Sequence, residues 1–136
     1  MDFAGGQYGI GIISKTQLKA TDGGNLEVRA GDEPRAWQKV LVEVDGKEIA
    51  IYNTHLSFET VAATNNQIED LISIMNEDPT EYKVLTGDFN ICDSKEQIYP
   101  FLEDYNIANG KDGVWFDSFN GPSTSNNIAI DNIITT

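Results

Sequence analysis

The chain has 136 residues, of which 40% are hydrophobic and 10% aromatic; that is enough apolar material for one ordinary core and too little length for two, so we read residues 1–136 as one domain. Its 22 acidic residues outnumber 9 basic ones, a formal charge of −13, and the acids are scattered among apolar runs, which argues against a disordered tail and against broad electrostatic capture of nucleic acid, leaving a locally positive cleft or a bound cation as the way to hold a phosphate. A single cysteine, Cys92, excludes an internal disulfide, no stretch approaches the roughly 20 apolar residues of a membrane-spanning helix, and no signal peptide opens the chain, so localisation stays open.

Taken in chain order, Tyr8 to Ser14 reads YGIGIIS, a β-branched run that predicts a strand. Lys19 to Arg35 is polar and glycine-rich, the composition of a long loop. Ala36 to Val44 alternates as AWQKVLVEV and Glu48 to Leu56 continues as EIAIYNTHL, with Asp45-Gly46-Lys47 between them; this is a β-hairpin with Asp-Gly turn chemistry. From Thr60 to Met75 the apolar positions Val61, Ile68, Leu71, Ile72 and Met75 form one stripe of an amphipathic helix, and Pro79 follows its end. Lys83 to Phe89 (KVLTGDF) is a short apolar strand, so strand, helix and strand make a crossover unit packed on a sheet. Ser94 and Gln97 resemble a capping box, opening a helix through Asp104 that Pro100 shortens or breaks. Gly110 to Asn127 is a Gly-, Asn- and Ser-rich connection, and Ile128 to Ile134 is the last strand.

Three polar clusters sit on these strands: Asn53-Thr54-His55, Gly87-Asp88-Phe89-Asn90 and Ile130-Asp131-Asn132. Strand ends at one rim of a sheet are where reacting groups converge. His55 is the only histidine; an imidazole can act as a general acid, a phosphoryl hydrogen-bond donor or a metal ligand, the alternative being a half-buried strand histidine satisfied by a neighbour. Asp88 and Asn90, two apart, share one face of an extended chain while Phe89 enters the core; a carboxylate beside a carboxamide orients water or holds a cation, or else the pair makes Asx turns at a strand exit. Asp131 interrupts the run IAIDNII, which reads as a buried orienting carboxylate or as an edge-strand acid facing solvent. Arg35, after a proline and before the alternating strand, is either a guanidinium fork for phosphate near the rim or a surface arginine.

GGQYGIGIISK at Gly5 to Lys15, EPRAW at Glu33 to Trp37, NTHLS at Asn53 to Ser57, LTGDFN at Leu85 to Asn90 and IDNII around Asp131 resemble, in order and spacing, the endonuclease/exonuclease/phosphatase family. That family includes pancreatic-type DNases, apurinic endonucleases, neutral sphingomyelinases and inositol-polyphosphate phosphatases. Each segment alone is a weak signal; their joint order is a strong one. The resemblance implies an α/β, DNase I-like fold, a four-layer sandwich of two mixed sheets flanked by helices. It implies Mg²⁺- or Mn²⁺-assisted, in-line attack of water on a phosphoester of nucleic acid, phospholipid or sugar phosphate. By position, His55 would bind the phosphoryl group or protonate the leaving oxygen, and Asp88 and Asn90 would position the water and the cation. Asp131 would orient a second histidine, Arg35 would contact substrate, and Asn53 would hold the strand end that carries His55.

The departures carry expectations of their own. The family places an Asn and a metal-binding Glu before its GGQYG-like segment and a Ser-Asp-His motif after its IDNII-like strand; this chain has none of them, and Asn132 replaces an aromatic or basic residue. The sequence therefore reads as an incomplete sandwich, marginal in stability, with exposed sheet edges that a second copy would cover. A non-catalytic binding module on the same fold is the alternative function.

Overall fold

The structure, a computed structural model, describes residues 1–91, 100–101, 104–110, 114–119 and 129–136. A six-stranded mixed sheet has the order β3-β4-β5-β6-β8-β7, formed by β3 (Ala20–Leu26), β4 (Arg35–Val44), β5 (Lys47–His55), β6 (Tyr82–Asp88), β7 (Asn106–Ile107) and β8 (Asp131–Thr135). A two-stranded ribbon, β1 (Asp2–Phe3) with β2 (Gly6–Gln7), stands apart from it. The single helix of the described residues that spans several turns, α1 (Val61–Glu77), connects β5 to β6. The mixed α/β class is as the sequence predicts. Of the four layers that the family resemblance implies, the described residues build one sheet and the helical layer on one of its faces.

The β4–β5 hairpin closes through Asp45 and Gly46, both at positive φ (50° and 77°). Two consecutive left-handed residues make the turn whose twist matches the strands it joins. β5 and β6 are parallel, which requires the crossover that α1 supplies. Thr60 caps α1 by accepting the amide of Ala63 at 3.1 Å.

The core lies between α1 and one sheet face. Ile68, Leu71 and Met75 pack with Ala50, Tyr52, Leu85 and Ile134, and Leu56, Phe89, Ile91 and Phe101 close one end. The helical stripe differs from the predicted one at its N-terminus: Val61 is exposed, while Thr64 and Gln67 are buried. Both reach the segment that leaves β5. Thr64 Oγ1 donates to the carbonyl of Ser57 at 2.8 Å, Gln67 Oε1 accepts the Ser57 amide at 2.8 Å, and Gln67 Nε2 donates to the carbonyl of Glu27 at 2.8 Å. Polar helix positions are thus buried to satisfy a loop backbone.

Two sequence expectations fail here. Lys19 to Arg35, read as loop, contains the seven-residue strand β3. Its glycines are packing residues: a Cβ on Gly23 would lie 2.9 Å from the carbonyl oxygen of Trp37, and one on Gly24 would lie 2.9 Å from the Trp37 indole nitrogen. Tyr8 to Ser14, read as a strand, joins no ladder among the described residues, and Ile13 is fully exposed; β-branched composition favours extension but does not supply a partner. The last strand starts at Asp131, later than predicted. Of the helix expected from Ser94 to Asp104, Pro100 and Phe101 are helical and Asp104 lies in a turn, while the rest, like most of the Gly110 to Asn127 connection, falls outside the described residues. Among the described residues, no helix is long and apolar enough to cross a membrane.

Candidate active site

Because β5 and β6 run parallel, their C-terminal ends meet at one rim, and β8, antiparallel to β6, begins there. The register puts His55 beside Asp88 and Asp88 beside Asp131. Each of the three is an odd number of residues from Tyr52, Leu85 or Ile134 of the core, so the row lies on the face away from α1. His55 Nε2 stands 3.6 Å from Asp88 Oδ2. The strands approach closely enough that Gly87 is obligatory: its φ is +151°, and a Cβ would fall 2.1 Å from the Thr54 carbonyl oxygen.

At the exit of β6 the chain turns. Asn90 has φ +52°, and its amide donates to Asp88 Oδ1 at 2.9 Å, so the Asx turn weighed in the sequence is present. Asn90 does not continue the extended chain on the face of Asp88. Its Nδ2 donates to the Leu56 carbonyl at 2.8 Å, and the Leu56 amide donates to the Asp88 carbonyl at 2.9 Å, which clamps the two strand exits together. Among the described residues, the Asn90 amide oxygen accepts no bond. Burial raises the Asp88 carboxyl above its ordinary value and the neighbouring Asp131 adds to this, while the Asn90 amide, His55 and Arg35 pull it down without reversing it.

Arg35 is neither the surface residue nor the open rim fork read from the sequence. Its side chain has no exposed area, because it begins β4 under the Ser57–Glu59 segment, with its guanidinium 5.5 Å from the ring centre of Phe58. NH1 donates to the Tyr8 hydroxyl at 3.3 Å. NH2 lies 3.2 Å from Glu33 Oε2, an ion pair by distance that is not aligned as a hydrogen bond, and Nε has no partner among the described residues. The Tyr8 hydroxyl in turn meets His55 Nδ1 at 2.7 Å. Glu59 ties the segment down, accepting from Ser57 Oγ and from the Glu33 amide at 3.4 Å. Tyr8, Glu33 and Glu59 had no assigned role in the sequence; the signal available was that Tyr8 and Glu33 lie inside the GGQYG and EPRAW segments.

Of the two readings weighed for Asp131, the buried carboxylate fails and the solvent-facing one holds, although β8 lies between β6 and β7 and is not an edge strand. Asp131 is exposed, and the buried residue of the strand start is its neighbour Asn132. Asn132 Oδ1 accepts the Asn109 amide at 3.0 Å and Nδ2 donates to the Asn109 carbonyl at 2.8 Å. Period-two alternation then turns Asp131 outward, where Ser118 Oγ accepts its amide at 3.0 Å. Asn53 Nδ2 reaches the Gly11 carbonyl at 3.5 Å, so it ties the Tyr8–Ser14 segment to β5.

The residues suit a hard cation in kind and fall short in number. Asp88 and the amide oxygen of Asn90 are oxygen ligands of the type Mg²⁺ takes, but no group of three or more His, Cys, Asp or Glu side chains among the described residues is arranged to hold a metal. A cation held here would complete its shell with water and phosphoryl oxygens, as Mg²⁺ commonly does.

No protein-family model matches the sequence, and no curated protein matches it. Solved structures do match the fold. The endonuclease/exonuclease/phosphatase of Bacteroides vulgatus aligns over 88% of this chain and 54% of its own, with TM-score 0.69 and 17% identity. A mannosyl-6-phosphatase of Bacteroides thetaiotaomicron aligns over 88% and 52%, with TM-score 0.65 and 16% identity. The human Nocturnin catalytic domain aligns over 88% and 47%, with TM-score 0.58 and 20% identity. The chain has the DNase I-like fold of the endonuclease/exonuclease/phosphatase proteins, and it spans about half the length of the solved structures it matches.

Proposed function

We propose that the rim carries phosphoester hydrolysis by in-line attack of water. The observation that supports it best is the juxtaposition of His55 and Asp88 on adjacent strand ends, 3.6 Å apart, with a buried arginine linked to the same histidine through Tyr8. Asp88, its proton affinity raised by burial, takes a proton from the attacking water. Asn90, clamped to Leu56, orients that water, and His55 donates to a phosphoryl oxygen or protonates the leaving oxygen. Arg35 offers positive charge near the phosphoryl group. Carboxylates outnumber it locally, with Glu33, Asp88 and Asp131 close by, so an anionic substrate needs further compensation. Asp88 and Asn90 are the residues that would hold Mg²⁺ or Mn²⁺, which when bound would supply that charge as a Lewis acid. Nucleic acids, phospholipids and sugar phosphates all offer the required bond.

The scarcity of metal donors among the described residues favours a second reading, a binding module that retains the cleft without the chemistry. Hydrolysis of a generic aryl phosphodiester, followed with Mg²⁺, with EDTA and in Asp88→Asn, separates the two. The hydrolase reading expects turnover that EDTA and Asp88→Asn both abolish. Absence of turnover together with retained phosphate binding selects the module.

A further inference from the structure

Two proton arrangements are open at Tyr8, its phenol proton going either to His55 Nδ1 or to the nearby Glu33 carboxylate, and the 2.7 Å contact with Nδ1 favours the first. An arginine has no acceptor, so at the 3.3 Å contact NH1 is the donor and the Tyr8 oxygen accepts. The phenol carries one proton of its own, and its other close partner is His55 Nδ1 at 2.7 Å. When that proton is given to Nδ1, the imidazole nitrogen is an acceptor and its ring proton resides on Nε2, the atom facing Asp88 Oδ2 at 3.6 Å. We propose that Tyr8, itself oriented by Arg35, is a positioning residue that holds neutral His55 as the Nε2–H tautomer with its donor directed at the Asp88 side of the rim.

Two further features fit this assignment. Burial and the nearby Glu33 keep the phenol protonated by raising its pKa, despite the opposing guanidinium, so Tyr8 has a proton to give. Arg35 has no exposed side-chain area, which keeps water from replacing it as the donor to the phenol. A histidine partner is normally recognised as a carboxylate or a backbone carbonyl, both of which select Nδ1–H on the ring nitrogen they face. A phenol pinned by an arginine inverts that polarity and makes the facing nitrogen the acceptor. The consequence for turnover rests on the hydrolase reading above: the Nε2 proton is then the one available to a phosphoryl or leaving oxygen. The tautomer itself does not rest on that reading.

His55 is the only histidine, so ¹⁵N imidazole NMR of the whole chain reports it without ambiguity. At about pH 8.5, two units above an ordinary histidine pKa, the wild type should show an unprotonated Nδ1 and a protonated Nε2. Tyr8→Phe should move both nitrogens toward the averaged positions of a tautomer mixture, with the backbone amide spectrum otherwise unchanged. A wild-type spectrum with Nδ1 protonated, the pattern of an imidazole donating to a phenol that points at Glu33, overturns the proposal without any variant. So does a Tyr8→Phe spectrum identical to that of the wild type. Hydrolysis of the aryl phosphodiester by the same samples tests the active-site reading separately: kcat should fall on the order of tenfold in Tyr8→Phe with KM little changed. The expected tautomer in a chain without turnover upholds Tyr8 and counts against hydrolysis.

Discussion

Two places on this sheet bring charge out of solvent, and they are built on opposite terms. Under the C-terminal end of α1, Asp78 receives the Tyr52 hydroxyl, the Lys39 ammonium at 2.7 Å and the Thr80 amide at 2.9 Å. Burial alone would push its carboxyl up, but these donors outweigh it and hold it well below the usual carboxylate range. At the rim, burial wins over the donors around Asp88 and raises its carboxyl, and Arg35 keeps a buried Nε without a partner among the described residues. The first cluster is saturated and stabilises the fold. The second keeps, among the described residues, unsatisfied donors and a destabilised carboxylate where three strand ends meet, which is how a site differs from a strut.

That contrast can be broken in both directions. The largest effect expected is His55→Ala, which should lower aryl phosphodiester hydrolysis by about 10²- to 10⁴-fold while thermal melting stays where it was; a parallel loss of stability would make His55 a strut. Lys39→Met should do the reverse, costing about 3 kcal/mol in urea unfolding by leaving Asp78 buried and underpaired, with turnover per folded molecule unchanged. The depressed Asp78 carboxyl contributes stability above the unfolded carboxylate pKa, near 4, and this is lost as pH falls through its folded value. Lys39→Met should therefore move acid unfolding to higher pH. Asn132→Ala strands the buried amide and carbonyl of Asn109 and should cost about 1–3 kcal/mol, read by denaturant melts.

The smallest effect has the most telling sign. A raised folded-state pKa contributes stability below the unfolded pKa and loses it as pH climbs through the folded value, so ionised Asp88 works against folding at neutral pH. Asp88→Asn keeps an acceptor for the Asn90 amide and removes the charge. Measured at pH 7 in EDTA, it should raise Tm by about 2–4 °C, after discounting for the partial exposure of the group, while abolishing turnover. A lower Tm would mean that Asp88 is satisfied after all and that the two clusters are alike.

Local chemistry was enough to read much of this protein. The Asp-Gly hairpin, the crossover helix and the strand ending in Gly-Asp-Phe were legible because turn dihedrals, helical periodicity and period-two alternation are written in adjacent residues. The same alternation, applied to parallel neighbours, placed His55 and Asp88 at one rim. What escaped depends on residues far apart in the chain. Glycines 23 and 24 read as loop because the Trp37 ring that requires them lies in another strand. Asp131 stayed open between buried and solvent-facing because nothing nearby announced that Asn132 would be drawn inward by Asn109. Arg35 read as exposed because the cover of Ser57 to Glu59 arrives only with the fold. The bond from Tyr8 to His55 joins residues 47 apart in sequence; no local pattern encodes it, since hydrogen-bond partners across such a span are chosen by packing.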